Sequence, residues 1–380
     1  MCWPKVSLIW INYNSSKILP VVFESIESIS SLDYPSDRYE LIIVDNGSTD
    51  GSFESIKEFL ERKSHLRKKI IRLAKNSGFT GGNNIGFRAR DPDSKYVALV
   101  NNDVMLIEDS LKNLVELLRG NSRIGAVQGI LLKLTERNIV DTAGDFFVDV
   151  YPFVRPFLSG FPYKALKKPY KISFADGAFA VYSIEALVRS LGRSDRIFDE
   201  VMFAYFDDNI LGIKLWCHGY YSILLPRIVG YHARSSTFGH INPFQHYLIN
   251  RGHYVFATLF GTPKMKLSLY LQSLRFLTPF RPKALKSLKD YKQLIFTRVL
   301  ALKHSTVLAK YLLSSWASYE DADSLSLERV PLIKLSLRET IHILIDPSRF
   351  QHIVDQSIAR SLHNYYYEES CNHNRVYSQK

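Results

Sequence analysis

The stretch Tyr96-Val-Ala-Leu-Val-Asn-Asn-Asp103 decides how the rest of the sequence is interpreted. It begins as a short apolar run with β-branched residues, which has the length of a strand buried on both faces of a parallel sheet. Three polar residues end the run, at the carboxyl end of the strand where open α/β sheets bind their ligands. Asp103 would be a hard oxygen ligand there, suited to Mg²⁺ or Mn²⁺ holding a diphosphate. Turn formation is the alternative, because Asn and Asp are common in loops.

Length and composition indicate an ordinary folded protein. The 380 residues allow one large domain and a smaller one, and 46% hydrophobic with 23% charged residues argues against global disorder. The formal net charge of +12 and the pI near 9.4 predict an anionic partner, which is a nucleotide, a nucleic acid or a membrane surface.

Compartment and membrane topology are predicted from the cysteines and from the apolar runs. Cys2, Cys217 and Cys371 are far apart and form no metal-binding pattern, so we expect reduced thiols in a reducing compartment. The first strand begins near Lys5, which leaves no room for a signal peptide. No apolar run reaches the ~18 residues of a spanning helix.

Two segments near the start of the chain repeat the order of strand, polar turn and helix. Val6–Ile11 precedes Asn12 and Asn14, and Glu40–Val44 precedes Asp45. Helical patterns of apolar residues follow each turn. Consecutive units of this kind predict a doubly wound α/β sheet that is mixed but mostly parallel.

The third strand leads into Asn76-Ser-Gly-Phe-Thr-Gly-Gly-Asn-Asn-Ile-Gly86. Glycines let the backbone approach a ligand closely, and the start of a helix offers N–H groups to an anion, so Asn76, Gly78 and Asn83 are candidate binding residues. The spacing is neither that of a P-loop nor that of a dinucleotide fingerprint. An ordinary turn is the alternative.

Two later segments are interpreted as a loop or lid and as a strand. Residues 141–171 are rich in Pro and aromatic residues without clear periodicity, which predicts a long loop or lid over the crevice. Ile172–Tyr182 is predicted as one strand that bears Asp176 and Gly177. Asp207 and Asp208 then precede a helix at about 209–217, where capping and compensation of the helix dipole are the alternative to catalysis.

The order of these motifs resembles that of the family 2 glycosyltransferases, most closely a rhamnosyltransferase-like branch. The resemblance rests on Val-Asp-Asn-Gly-Ser-Thr-Asp-Gly after strand two, Asn-x-Gly-Phe-x-x-Gly-x-Asn after strand three and Val-Asn-Asn-Asp after strand four. Phe-x-Tyr-Phe-Asp-Asp and His-Ala-Arg-Ser follow in the same order. Together they cover about 5–253 and imply a GT-A fold and an inverting transfer of a sugar from a nucleotide-diphosphate donor to an acceptor hydroxyl.

The resemblance also implies roles for individual residues. Asp208 falls on the catalytic base, with Asp207 in place of the usual Glu and Ile210 where a further Asp is common. Asp103 and His232 fall on residues that hold the metal or the diphosphate, with Mg²⁺ or Mn²⁺ as the cofactor. The implied nucleotide-sugar site comprises Asn12, Asn14, Asp45, Asn76, Gly78, Asn83, Asn101, Asn102, Asp176 and Arg234. Asn101 replaces an acid of the Asp-x-Asp motif, which leaves one anionic ligand fewer.

The pattern changes to helices from about Asn242, so we expect a GT-A domain over 1–241 and a basic helical region over 242–380. Between Gly261 and Lys310 the only acid is Asp290, and Leu, Phe and Tyr alternate with eleven basic residues. Such a composition suits a helix lying in an anionic membrane interface. An ordinary helical subdomain is the alternative, and no nucleic-acid motif accompanies the charge. The bases are Lys264, Lys266, Arg275, Arg281, Lys283, Lys286, Lys289, Lys292, Arg298, Lys303 and Lys310.

We therefore expect a metal-dependent inverting glycosyltransferase in the cytoplasm, bound peripherally at the inner face of the cell membrane, with a glycan or lipid-linked acceptor. Two other functions fit parts of the pattern. A nucleotidyltransferase has a similar sheet, but Asn12-Tyr-Asn-Ser15 lacks a basic, glycine-rich phosphate signature. A non-catalytic membrane-bound scaffold with a decayed fold is favoured only by Ile210 and Asn101.

Overall fold

The computed structural model describes residues 2–234, 242–276, 288–318, 325–346 and 349–367. The strands are β1 (Val6–Asn12), β2 (Tyr39–Asp45), β3 (Lys68–Arg72), β4 (Tyr96–Asn101), β5 (Val104–Leu106), β6 (Ile124–Lys133), β7 (Val140–Thr142), β8 (Asp145–Val148), β9 (Tyr151–Pro156), β10 (Tyr170–Ile172), β11 (Phe179–Ser183), β12 (Tyr221–His232) and β13 (Leu332–Ile333). The helices are α1 (Leu19–Ser30), α2 (Ser52–Glu61), α3 (Gly78–Arg88), α4 (Ser110–Gly120), α5 (Ile184–Leu191), α6 (Asp207–Cys217), α7 (Pro243–Phe260), α8 (Pro263–Phe276), α9 (Leu288–Trp316), α10 (Leu337–Ile345) and α11 (Phe350–Ser361).

A central mixed sheet has the strand order β10-β12-β6-β11-β4-β1-β2-β3. Its first half in sequence is parallel, because β1 pairs in parallel with both β2 and β4, and β2 pairs in parallel with β3. The second half inserts β11 antiparallel between β4 and β6. The predicted α/β sheet, mixed and mostly parallel, is confirmed.

The register of the parallel strands brings their polar ends together. Asn12 lies opposite Asp45, and Ile11 lies opposite Asn101. The apolar residues before these ends are buried because helices cover both faces of the sheet. The short apolar runs therefore place Asn12, Asp45 and Asn101 side by side at the carboxyl edge.

The prediction of a long irregular loop over 141–171 is wrong. The segment contains β7, β8 and β9, and β8 pairs antiparallel with β9 and parallel with β13. These strands are three to six residues long, and both faces of β7 and β8 are buried, so they lack the alternation of polar and apolar residues that marks a half-exposed strand.

The prediction of one strand over Ile172–Tyr182 is also wrong. The segment forms β10 and β11, which pair with different neighbours, and Asp176 and Gly177 lie in the turn between them. The backbone N–H of Ala178 donates to Oδ1 of Asp176 at 2.8 Å, which stabilises that turn. The side chain of Asp176 therefore lies in the turn before β11 rather than within a strand.

The region after residue 241 is largely helical and packs on the sheet domain. It also contributes β13 to the small three-stranded sheet, and the apolar side of α11 joins the core cluster around Phe146 and Ile172. No helix among the described residues is long and apolar enough to cross a membrane. The boundary at 241/242 stays a prediction. Among the basic residues above, those with side chains outside the described part are Arg275, Arg281, Lys283, Lys286 and Lys289.

Candidate active site

Asn12 and Asp45 form the first corner of the site, at the ends of β1 and β2. Nδ2 of Asn12 donates to Oδ1 of Asp45 at 2.8 Å, and the backbone N–H of Ser48 donates to Oδ2 of Asp45 at 3.0 Å. Nε of Arg72 lies 3.8 Å from the same Oδ2. The carboxylate is fully buried with both oxygens hydrogen-bonded, so it fixes the shape of this corner. Contact between Asp45 and a nucleotide base stays a prediction.

Asn14 holds the turn after β1 against the turn after β2. Its backbone has a positive φ of 46°, its Oδ1 accepts from the backbone N–H of Thr49 at 2.9 Å, and its own N–H donates to Oγ of Ser48 at 2.9 Å. Asn tolerates this left-handed conformation better than most residues. The two turns are therefore one rigid unit beside Asp45.

The predicted Gly/Asn loop is held by its own asparagines. Oδ1 of Asn76 accepts from the backbone N–H of Gly78 at 2.7 Å, and Nδ2 of Asn83 donates to the carbonyl of Phe79 at 3.0 Å. Gly78 has a φ of +77°, and a Cβ there would lie 2.3 Å from the carbonyl oxygen of Phe203. Only glycine permits this close approach between the loop and the segment that leads to the acidic pair.

The end of β4 connects the first corner to the far side of the site. Nδ2 of Asn102 lies 3.5 Å from Oδ1 of Asn12, at the limit of a hydrogen bond. The backbone N–H of Asn101 donates to the carbonyl of Ala178 at 2.9 Å, and so ties β4 to the turn that carries Asp176. Asn101 and Asn102, which are adjacent in the sequence, thus contact different neighbours.

Asp103 and His232 lie in a buried series of charged groups. Nε2 of His232 faces Oδ1 of Asp103 at 3.1 Å, and Nδ1 faces Oδ2 of Asp141 at 2.8 Å. Nε of Arg234 donates to the other oxygen of Asp141. Burial alone would lower the pKa of His232, but the hydrogen bonds to Asp103 and Asp141 outweigh burial and raise the pKa to about 9. An imidazolium therefore bridges the two carboxylates.

The donor set around Asp103 fits a divalent ion that is completed by substrate. In the described part of the chain, no group of three or more His, Cys, Asp or Glu side chains is arranged to hold a metal ion. Mg²⁺, however, commonly takes one or two protein carboxylates and completes its shell with phosphates and water. Asp103 would supply one donor, and His232 would supply a second after loss of its Nε2 proton, with Asp141 on Nδ1 as the outer carboxylate that orients a ligating histidine.

The second acidic cluster lies at the start of α6. Oδ2 of Asp208 accepts from the backbone N–H of Gly177 at 3.1 Å. Among the described residues, Oδ2 of Asp207 and Oδ1 of Asp208 are buried without a hydrogen-bond partner. Two carboxylate oxygens without partners are costly in a folded protein, and such strain is typical of functional sites.

The position of Asp208 in the first turn of α6 does not keep its pKa low. Burial and the adjacent charges of Asp207 and Asp176 raise the pKa of Asp208 well above its usual value, although the Gly177 N–H opposes them. Burial likewise raises the pKa of Asp207 to about 7, opposed in part by Arg251. For both residues burial is the largest cause, and the nearby acidic side chains add to it.

The segment before α6 is held in an unusual backbone conformation. Phe203, Tyr205 and Phe206 all have positive φ angles, which bulky residues adopt only when the surroundings enforce it. Helix α7 supplies part of that enforcement, since Nε2 of Gln245 donates to Oη of Tyr205 at 2.7 Å and Arg251 donates to a backbone carbonyl of the segment.

A continuous series of contacts joins the predicted residues along one edge of the sheet. Asp45 bonds to Asn12, Asn12 reaches Asn102, and Asp103 follows in the chain. On the other side, Asn101 bonds to Ala178, whose turn holds Gly177 against Asp208. These contacts connect the segments that carry Asp45, Asp103 and Asp208, and their service in one active site stays a prediction.

Sequence reasoning missed Asp141, which was assigned to an irregular loop. Its side chain is almost completely buried and bonds to both His232 and Arg234. Burial alone would raise the pKa of Asp141, but the hydrogen bond and charge of His232, with Arg234, lower it. An acid inside a stretch of buried apolar residues is the signal that could have drawn attention to this position.

The mixed sheet, with its polar cluster at the carboxyl edge, has the architecture of the GT-A fold. Residues 7–190 match the sequence model of the glycosyl transferase family 2. This part of the chain is therefore a family 2 glycosyltransferase domain, and the family resemblance is confirmed. The rhamnosyltransferase-like branch stays a prediction.

Individual relatives match over part of their length. The poly-beta-1,6-N-acetyl-D-glucosamine synthase of Staphylococcus epidermidis is 31% identical over 124 residues, which cover 33% of this chain and 28% of that protein. The chain spans less than a third of the length of the curated relatives it matches.

Two solved structures share the fold over most of the chain. The mannosyltransferase PcManGT from Pyrobaculum calidifontis, in complex with GDP-Man and Mn²⁺, has a TM-score of 0.50 at 20% identity and covers 96% of this chain and 88% of its own. Residues 1-349 of Staphylococcus aureus TarS, in complex with UDP-GlcNAc, have a TM-score of 0.50 at 16% identity and cover 96% and 93%. At these identities the similarity describes the fold.

Proposed function

We propose that the protein transfers a sugar from a nucleoside-diphosphate donor to an acceptor hydroxyl, with inversion at the anomeric carbon. The observation that carries the proposal is the linked arrangement of Asp45, Asp103 with His232, and Asp208 along one sheet edge. Open α/β sheets bind ligands at this edge. The end of the series with Asp45 suits a nucleotide, and Asp103 with His232 suits a diphosphate. The end with Asp208 carries buried carboxylates.

Asp208 is proposed as the general base that takes the proton of the acceptor hydroxyl. Its raised pKa makes the carboxylate a stronger proton acceptor than a solvated Asp, which suits it for this step near neutral pH. Gly177 holds one oxygen by its N–H and leaves the second oxygen without a protein partner among the described residues. The deprotonated alcohol then attacks the anomeric carbon from the side opposite the leaving diphosphate, which gives inversion.

Asp103 and His232 are proposed to hold Mg²⁺ or Mn²⁺ with the donor diphosphate. A divalent ion at this position neutralises negative charge that develops on the leaving group. His232 must give up its Nε2 proton to act as a ligand, and Asp141 would then keep the proton on Nδ1 and the ring in place. Arg234, which is half exposed beside Asp141, adds a fixed positive charge near the same phosphates.

The donor is proposed to be a uridine or guanosine diphosphate sugar. The TarS structure named above is in complex with UDP-GlcNAc, and the Pyrobaculum calidifontis mannosyltransferase is in complex with GDP-Man. We propose a glycan or lipid-linked acceptor at an anionic membrane surface, to which the protein binds peripherally. The basic, leucine-rich composition between Gly261 and Lys310 supports this setting.

The experiment that tests the proposal is a screen of these donors for nucleoside-diphosphate release, with Mg²⁺, Mn²⁺ or EDTA. We expect release that needs a divalent ion and is lost in the Asp103→Ala and Asp208→Asn variants. Release of pyrophosphate from a nucleoside triphosphate and a sugar phosphate would instead identify a nucleotidyltransferase. Donor binding without turnover, unchanged by Asp208→Asn, would identify a non-catalytic scaffold.

A further inference from the structure

Within the described residues, helix α9 packs on the protein by one side. Its buried residues recur every three or four positions, and three of the side chains in the middle are small, which lets the helix lie close to α7. The buried residues are Thr297, Ala301, Ser305, Ala309, Leu312 and Trp316. Trp316 stacks on Phe260 of α7, and its Nε1 donates to Asp199 at 3.1 Å.

The opposite side of α9 exposes large apolar side chains. Phe296 is 65% exposed, Val299 is 58% exposed and Val307 is 70% exposed. Their spacings of three and eight place them on one side of the helix, about half a turn away from the buried row. Leu302, Tyr311 and Leu313 flank them and are also exposed. A single exposed Leu or Phe is ordinary, but a row along one helix marks an interaction surface.

The exposed side of α9 carries positive charges. Lys292, Lys303 and Lys310 are exposed on the same side, and the sequence from 291 to 318 contains no Asp or Glu. In a two-fold dimer through this face, the same lysines would lie opposite their own copies without acidic partners. Apolar side chains mixed with lysines fit the boundary between anionic headgroups and acyl chains, where the apolar groups insert and the ammonium groups stay at headgroup level.

We propose that the outer face of α9, formed by Phe296, Val299, Lys303, Val307 and Lys310, docks the protein on an anionic membrane. This inference deepens the proposed function, on which it rests, because it names the surface that meets the membrane of a lipid-linked acceptor. The docking itself needs no transferase activity.

Contacts through α7 connect this face to the candidate active site. His246 of α7 bonds to Thr297 at 2.7 Å, and Arg298 bonds to Asn250 of α7 at 3.0 Å. The same α7 holds the segment before Asp207 through Gln245 and Arg251. One helix layer, roughly 10 Å thick, therefore separates the docking face from the helix and loop that carry the acidic pair.

The test is co-sedimentation of the full chain with vesicles, one set of pure phosphatidylcholine and one with roughly one-third phosphatidylglycerol. We expect binding to the anionic vesicles and little binding to the neutral ones. Lys303→Gln with Lys310→Gln should weaken the partition coefficient on the order of 25-fold, because each lysine near such a surface contributes about a factor of five. Phe296→Ser with Val307→Ser should weaken it by about tenfold or more.

Matched variants test whether the effect belongs to this face. Lys57→Gln with Lys95→Gln removes the same charge from exposed positions outside α9, and Leu337→Ser with Ile345→Ser removes exposed apolar groups from α10. Both control pairs should bind like the wild type, and equal losses would overturn the assignment to α9. Absence of binding to anionic vesicles would also overturn it, as would a dimer in sedimentation equilibrium that Phe296→Ser with Val307→Ser abolishes. Donor turnover measured without vesicles tests the transferase separately.

Discussion

Nδ1 of His232 lies 2.8 Å from Oδ2 of Asp141, and this contact joins two segments that are 91 residues apart in the sequence. The opposite ring nitrogen faces Asp103, and Arg234 holds the second oxygen of Asp141. Asp141 therefore orients the imidazole from behind and balances its charge without facing the proposed substrate. A carboxylate in this position fixes which nitrogen of the ring is available as a ligand.

Replacement of Asp141 by Asn should weaken metal binding and turnover together. The amide keeps the shape of the side chain but removes the negative charge that holds the Nδ1 proton and pairs with Arg234. Loss of such an outer partner typically costs 10–100-fold in metal affinity or activity. The measurements are the Mn²⁺ affinity by titration calorimetry in the presence of a nucleoside diphosphate, and kcat/KM with the donor that the screen identifies.

Asp149→Asn is the matched control for Asp141→Asn. Asp149 is also a buried carboxylate, but it bonds to the backbone N–H of Leu335 at 3.0 Å and to Lys264 at 2.9 Å. Its loss should lower the free energy of unfolding and leave the Mn²⁺ affinity of the folded protein unchanged. If both variants retain wild-type Mn²⁺ affinity, Asp141 has only a structural role.

The two carboxylates at the start of α6 should separate kinetically. Asp208→Asn should lower kcat by about 10²–10⁴, the usual contribution of a positioned base, whereas Asp207→Asn should have a smaller effect. The Asp207 charge is the second-largest cause, after burial, of the raised pKa of Asp208. Asp207→Asn should therefore move the acidic limb of the pH–rate profile to lower pH, because the Asp208 carboxylate then loses its proton more easily.

The pH profiles of kcat/KM for wild type and Asp207→Asn check this assignment. Wild-type activity should rise with pH as Asp208 ionises. Equal losses of kcat in the two variants, or an acidic limb that does not move in Asp207→Asn, would show that Asp208 has been wrongly assigned as the base.

Asp207 should also reduce the stability of the fold at neutral pH. Burial raises its pKa to about 7, against about 3.9 in an unfolded chain, so the folded protein binds this proton more tightly than the unfolded chain does. The free energy of unfolding therefore falls as the pH rises from about 4 to about 7. Asp207→Asn should raise the free energy of unfolding above pH 7 by about 1–3 kcal/mol, with the difference vanishing near pH 4.

Chemical denaturation of wild type and Asp207→Asn at both pH values measures this effect. A variant that is less stable than wild type above pH 7 would mean that the Asp207 carboxylate is stabilised in the fold, by Arg251 for example. Asp195→Asn is the comparison for a half-exposed acid, because the hydrogen bond from Arg193 outweighs burial and lowers the pKa of Asp195 below its usual value.

The polar residues at the carboxyl edge of the sheet could be predicted, because each one is identified by the apolar run directly before it in the sequence. The apolar runs before Asn12, Asp45 and Asn101 each have strand length, and parallel pairing necessarily brings their carboxyl ends to one edge. The acidic pair could be found for the same reason, since it directly precedes a mostly apolar segment with Gly219 after its end.

Features that depend on distant contacts could not be predicted. Val148 in β8 pairs with Ile333 in β13, and neither strand has enough residues to show an alternating pattern. The residues next to Asp141 in the sequence do not indicate its hydrogen bond to His232. The raised pKa of Asp208 follows first from burial, then from Asp207 and from Asp176, and both burial and the contact with Asp176 depend on residues remote in sequence.

Gly78→Ala should damage both stability and turnover. Gly78 has a φ of +77°, and the added Cβ would lie 2.3 Å from the carbonyl oxygen of Phe203, in the strained segment that leads to Asp207. Gly51→Ala is the matched control, because Gly51 has a φ of +83° but nothing lies within 4 Å of an added Cβ. The left-handed conformation alone should cost about 1–2 kcal/mol in either variant. Thermal unfolding and kcat should show a larger loss of stability and a loss of turnover only in Gly78→Ala, and equal behaviour of the two would mean that the contact with Phe203 does not position the acidic pair.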